Sequence, residues 1–138
     1  MSAPEKTEKE TSANKQVNND RLTIGLYEKA TLIGNSVPNK EVVARIDTGA
    51  TRSSIDVKLA ASLRMGPVLT SRMVKSAHGS TYRPLVEGDV IICGKKIRTH
   101  FTIADRTKMK YKLLIGQDIL RQGEFLIDGC KFDNQLDT

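Results

Sequence analysis

From Arg21 onward the chain reads as short apolar runs broken by turn residues. In "LTIGLYE", Leu22, Ile24 and Leu26 alternate with Thr23, Gly25 and Tyr27, the period-two pattern of a half-buried strand. In "EVVARI", Val42, Ala44 and Ile46 fall on one face. "LVEGDVIICGKKIRTHFTIAD" predicts a hairpin, because Ile97, Thr99, Phe101 and Ile103 alternate with Arg98, His100 and Thr102. Gly94-Lys95 is its expected turn, glycine first, which suits a type II′ loop. A second hairpin is expected over Arg72–Pro84, "RMVKSAHGSTYRP", with its tip near Ala77-His78-Gly79-Ser80. "YKLLIG" is continuously apolar and predicts a buried strand.

Helical signals are few. Asp56–Leu63, "DVKLAASL", has apolar residues at helical spacing behind an Asp placed to cap the first turn. Gly116–Gly123, "GQDILRQG", is a short helix bounded by glycines. Many short strands at close spacing with one or two short helices predict a mainly β fold, a small closed barrel or a sandwich. Residues 1–20 are polar and charged, with Val17 the only aliphatic residue larger than alanine apart from the initiator, and cannot offset their ordering entropy by burial. The expected organisation is a disordered polar tail over 1–20 and one domain over 21–138.

Composition narrows the function classes. The net charge is +6; residues 1–20 hold three Lys, three Glu and one Asp, so the body carries +7. A basic body attracts acidic partners. The basic residues are scattered along predicted strands, and aromatics make up only 4% of the chain, so base-stacking platforms are scarce and nucleic acid is disfavoured as a partner. No run of about 18 apolar residues occurs, so no membrane span is expected. No apolar segment follows Met1; the expected compartment is the cytoplasm, or the periplasm if a signal peptide has been removed. Cys93 and Cys130 form no C-x-x-C and are expected as partly buried free thiols.

The stretch "ARIDTGATRSS", Ala44 to Ser54, carries the candidate chemistry. An Asp on a tight loop after a buried strand is fixed and partly desolvated. Gly49 lets amide N–H groups approach the carboxylate, and the Thr48 hydroxyl can lock one such loop to another. Two carboxylates at hydrogen-bond distance share a proton; one then activates water while the other polarises the scissile carbonyl. Asp-Thr-Gly by itself is also ordinary turn chemistry.

About 65 residues later, "KLLIGQDIL" runs an apolar strand through Gly116 into a short helix. Together the two stretches resemble the retropepsin-like aspartic peptidases. By that resemblance Asp47 is catalytic, Thr48, Gly49 and Ala50 complete its loop, and Leu114, Ile115 and Gly116 form the supporting strand. Ala77, His78, Gly79 and Ser80 stand at the flap over the substrate, although the family's flap tip is usually richer in glycine and His78 alone reads as a solvated loop residue. "RIDTGA", "VKSAHGSTYRP" and "FTIADRTKMKYKLLIGQDIL", in that order, are most similar to a prokaryotic stand-alone branch catalogued as ATP-dependent zinc proteases and often found beside glutamate-adding ligases. The likeness spans roughly Leu22 to Asp128. There is no H-E-x-x-H, and His78 and His100 make no ligand spacing with either cysteine, so no metal or cofactor is expected.

The chain has no second Asp-Thr-Gly or Asp-Ser-Gly. Asp105 and Asp128 lack the loop chemistry, and Asp118 is expected to start a helix and pair with a basic residue such as Arg52. The resemblance therefore implies a C2 homodimer that brings Asp47 of each chain to the axis. Its subsites would be lined near Arg45, the flap and "RTKMKY", whose positive charges suggest a peptide or protein substrate with acidic stretches. A non-catalytic peptide-binding or assembly module on the same barrel is the alternative.

Overall fold

The computed structural model describes residues 20–77 and 79–131; the polar tail expected over 1–20 lies, Asp20 apart, outside them. In chain order the elements are β1 (Thr23–Ile24), β2 (Tyr27–Leu32), β3 (Lys40–Ile46), β4 (Ser54–Asp56), α1 (Val57–Ser62), β5 (Val68–Ser76), β6 (Gly79–Ile92), β7 (Lys95–Ala104), β8 (Leu113–Ile115), α2 (Gln117–Gln122) and β9 (Leu126–Ile127).

Six strands follow one another around a barrel in the order β2, β3, β8, β4, β7, β6. The ring closes where β6 returns to β2, pairing Ala30 with Ile92, Thr31 with Ile91 and Leu32 with Val90. Of the two forms expected, the closed barrel is the one present. β5 lies outside the ring on the first half of β6, from Val68↔Val86 to Ser76↔Gly79. The hairpin expected over Arg72–Pro84 is therefore longer at its base. Short β1 and β9 pair in parallel beside the barrel.

The core is aliphatic around one aromatic ring. Leu32, Ala44, Ile55, Val90, Leu113 and Ile115 are fully buried together with Phe101. The expected inward face of β3 holds, with Ala44 and Ile46 buried and Val42 packed against the core. Asp56 caps α1 as expected: its Oδ2 accepts from the Lys58 and Leu59 amides at 3.0 and 3.3 Å.

Four local expectations change. "LTIGLYE" is not one strand; it breaks after Ile24, and Ile24 is buried while Leu22 and Leu26 are exposed. β1 serves β9 whereas β2 serves the barrel, so a single alternating face is not needed. The β6–β7 turn is Cys93-Gly94, not Gly94-Lys95, because Ile92 pairs with Lys95. Both turn residues have positive φ, 51° and 79°, the type I′ geometry whose twist matches the flanking strands. Thr102, expected on the outward face of β7, is buried where β7 lies between β6 and β4. Cys93 and Cys130 are free, but both are exposed: Cys93 sits in the turn, and Cys130 lies beyond β9. No described helix is long and apolar enough to cross a membrane.

Candidate active site

The site forms where β3 and β8 run parallel and end together. Arg45 pairs with Leu114 and Ile46 with Ile115. The Asp47 amide then donates to the Ile115 carbonyl at 2.8 Å, which carries the pairing one residue past β3 and fixes the carboxylate at the mouth of the barrel. The chain turns at once: the Ala50 amide donates to the Asp47 carbonyl at 3.2 Å, and the Gly49 amide donates to Asp47 Oδ1 at 3.0 Å. Thr48 and Gly49 are exposed at the tip of this loop, while Asp47 and Ala50 are half-buried.

The supporting strand meets the loop from below. The Gln117 amide donates to the Ala50 carbonyl at 2.8 Å, and the Asp118 amide to the Thr51 carbonyl at 3.2 Å. Gln117 Nε2 also reaches the Thr48 carbonyl at 2.8 Å. Three donors from the start of α2 thus take carbonyls of the Asp47 loop. Leu114 is half-buried, whereas Ile115 and Gly116 are buried. The seven residues expected to form the loop and its support, Asp47 to Ala50 and Leu114 to Gly116, are brought together.

Ser53 locks this junction and was not foreseen. It is wholly buried. Its Oγ accepts from the Gly116 amide at 2.9 Å and donates to Asp118 Oδ1 at 2.7 Å, while its amide donates to both oxygens of Asp118 at 3.0 Å. Asp118 does not pair with Arg52 as expected; among the described residues Arg52 makes no ion pair with it. A neutral hydroxyl and amides satisfy the carboxylate without stripping water from a guanidinium. Ser53→Ala leaves the Gly116 amide without its acceptor and Asp118 short of a donor. The expected loss is about 2–3 kcal/mol of unfolding free energy, read by chemical denaturation.

The rim beside Asp47 is basic. Arg106 is half-buried on the loop between β7 and β8. Its amide donates to Asp56 Oδ1 at 2.7 Å, and its Nε donates to the Tyr111 carbonyl at 2.9 Å. Lys112 gathers the same loop, its Nζ donating to the carbonyls of Arg106, Thr107 and Met109 at 3.0, 2.7 and 2.6 Å. The Tyr111 ring stacks on Tyr27 with centroids 4.9 Å apart, and Tyr27 pairs with Arg45 across β2 and β3. Burial lowers the pKa of the Arg106 guanidinium; Asp56 and Asp47 oppose that shift, while Arg45 and Arg83 add to it. Asp56, Asp47, Arg45 and Arg83 are thus all near enough to Arg106 to act on its charge.

A family model, RimB-like, described as retropepsin-like aspartic endopeptidase RimB, matches residues 57–133, more than half of the chain. The chain belongs to this family. The matched span holds α1 to β9 and begins ten residues after Asp47. Solved structures agree in fold with this retropepsin-like assignment. A Legionella pneumophila protein of unknown function matches with a TM-score of 0.57 at 20% identity, over 80% of this chain and 95% of that one. The EIAV protease, solved with an inhibitor, gives 0.56 at 18% identity, over 72% and 90%. The simian foamy virus (mac) protease gives 0.51 at 17%, over 69% and 91%. No curated protein matches the chain.

The hairpin expected to carry the flap is β5–β6. Ser76 pairs with Gly79, so Ala77 lies at the turn and Gly79 and Ser80 begin β6. Gly79 has a φ of 116°, which only glycine adopts readily. His78 lies outside the described residues. No group of three or more His, Cys, Asp or Glu able to hold a metal occurs among the described residues.

Proposed function

We propose that this RimB-like chain is an aspartic endopeptidase that cuts extended peptides with a water held between two Asp47 carboxylates, one from each chain of a C2 homodimer. The observation that carries this reading is the Asp47 loop itself. A carboxylate fixed by a backbone N–H stands at the mouth of a retropepsin-like barrel, and the sequence holds one such loop only. Thr48 and Gly49 are left exposed, as a loop that meets its own copy across an axis requires.

At that axis the two carboxylates cannot both ionise, so they share a proton and titrate as a unit. The ionised one takes a proton from water as the water attacks the scissile carbonyl carbon. The protonated one donates to the carbonyl oxygen, giving a neutral tetrahedral intermediate. Return of a proton to the amide nitrogen lets the C–N bond break. Thr48 secures the facing loop, and Ala77, His78, Gly79 and Ser80 cover the substrate. The scheme uses side chains of this chain alone.

The substrate class we propose is an acidic peptide, because Arg106 lies within electrostatic range of Asp47 and of two further arginines, Arg45 and Arg83. We also propose membership of the prokaryotic stand-alone branch on "RIDTGA" and "FTIADRTKMKYKLLIGQDIL"; nothing in the reading calls on the zinc or ATP of that branch's catalogue name. The cytoplasm is the proposed compartment.

Concentration dependence tests the dimer. Specific activity on a glutamate-rich peptide is expected to fall on dilution in step with the dimer fraction seen by sedimentation. A monomer that keeps full Asp47-dependent activity would sink the two-chain site.

A further inference from the structure

We propose that Arg106 is the specificity-determining residue of the cleft, a pre-aligned guanidinium that takes a substrate carboxylate next to the bond to be cut. This rests on the reading of Asp47 as the catalytic carboxylate and goes beyond it by naming the residue that selects.

The basis is geometric. Arg106 lies within electrostatic range of Asp47, Arg45 and Arg83, and it is tethered on two sides. Its backbone is held by Asp56, a buried carboxylate that also caps α1, and its Nε is held by the Tyr111 carbonyl. The loop around it is drawn together by the Lys112 ammonium on three carbonyls and braced on β2 by the Tyr111–Tyr27 stack. That stack sets the Arg106 loop beside Arg45, two residues before Asp47 in β3.

Engagement of Nε fixes the guanidinium plane and leaves the two Nη groups, which have no partner among the described residues. Two parallel N–H donors on a fixed plane match a carboxylate in the two-point mode that arginine makes and lysine cannot. The side chain is already partly desolvated and ordered, so less freedom is lost when the ligand arrives. Arg45, by contrast, is exposed on β3, and Arg83 rides on the flap strand β6. Arg98 is already engaged, with Glu87 at 3.0 Å and Asp89 at 2.9 Å. Asp56 makes no hydrogen bond to the guanidinium, since its two oxygens serve the Arg106 amide and the helix start, so the Nη groups stay open to a ligand.

The test separates binding from cleavage. In the full-length Asp47→Asn chain, fluorescence anisotropy compares a glutamate-rich peptide with the same peptide carrying glutamine. A preference for glutamate is expected, and Arg106→Gln should reduce that preference about tenfold or more, the size of a charge-assisted pair. Arg106→Lys keeps the charge without the fork and should fall between; it decides alone if the Gln variant fails to fold. In the chain that retains Asp47, the same loss should appear as a raised KM for the glutamate peptide relative to the glutamine one.

The inference is overturned if the Asp47→Asn chain shows no glutamate preference, or if both Arg106 variants keep the wild-type ratio. It is equally overturned if they weaken both peptides alike, which is what a mere loop brace would do. Arg106-dependent selection in a chain that cleaves nothing would uphold the inference and sink the peptidase reading instead.

Discussion

Replacing Asp47 with Asn is expected to lower peptide hydrolysis about 10³-fold or more while leaving the fold intact. The amide is nearly the same shape as the carboxylate, and its oxygen can still accept from the Gly49 amide that now meets Oδ1 at 3.0 Å. The β3–β8 pairing and the Asp47 amide bond to Ile115 do not involve the side chain. What is lost is the group that takes a proton from water. Steady-state cleavage of a glutamate-rich peptide measures the effect, and circular dichroism with thermal melting checks that the fold is retained. In a two-chain site the variant should also poison the wild-type protein. When the two are mixed and allowed to exchange, activity should fall as the square of the wild-type fraction. A linear fall would place the whole reaction within one chain.

Gly116→Ala should destabilise the fold that Asp47→Asn spares. A Cβ at Gly116 would stand 2.7 Å from the Ala50 carbonyl oxygen, 2.9 Å from the Arg52 carbonyl carbon and 3.0 Å from its oxygen. All three are backbone atoms, so no side chain can rotate away. The Gly116 amide is meanwhile held by buried Ser53, and the next two residues donate to the Asp47 loop. Pushing Gly116 back breaks those bonds; keeping it in place displaces Ala50 and with it Asp47. A loss of about 2–3 kcal/mol is expected, lowering Tm by roughly 10 °C, with activity lost beyond what unfolding explains. An alanine variant of wild-type stability and rate would show that the loop tolerates a shift of this size.

Much of this site was legible because its parts are local. The inward face of β3, Asp-Thr-Gly at its end, the apolar strand into Gly116 and the Asp56 cap are each written in a few consecutive residues. β4 was not legible, since Ile55 is its only apolar residue and three residues set no period. The Cys93-Gly94 turn was misassigned by one residue because cysteine is a poor signal for positive φ. Ser53 and Asp118 lie 65 residues apart in the chain. The pairing of β8 with both β3 and β4 brings them together, and no local pattern encodes it. The expected Arg52 partner followed from charge, whereas burial favoured short neutral donors. "RTKMKY" was legible as a basic rim, but which arginine is held still depends on Asp56 and Tyr111.

The closing seam of the barrel also bears on how the chain reaches this state. β2 and β6 meet through three residue pairs whose members stand about sixty positions apart. The β2–β3 and β6–β7 hairpins can form alone within microseconds, but the seam must wait until both have formed and found each other. Loop-closure entropy makes such distant pairing slow, so refolding should be limited by joining the two hairpins. Substitutions within the β6–β7 hairpin that spare the seam should then act mainly on the folding rate.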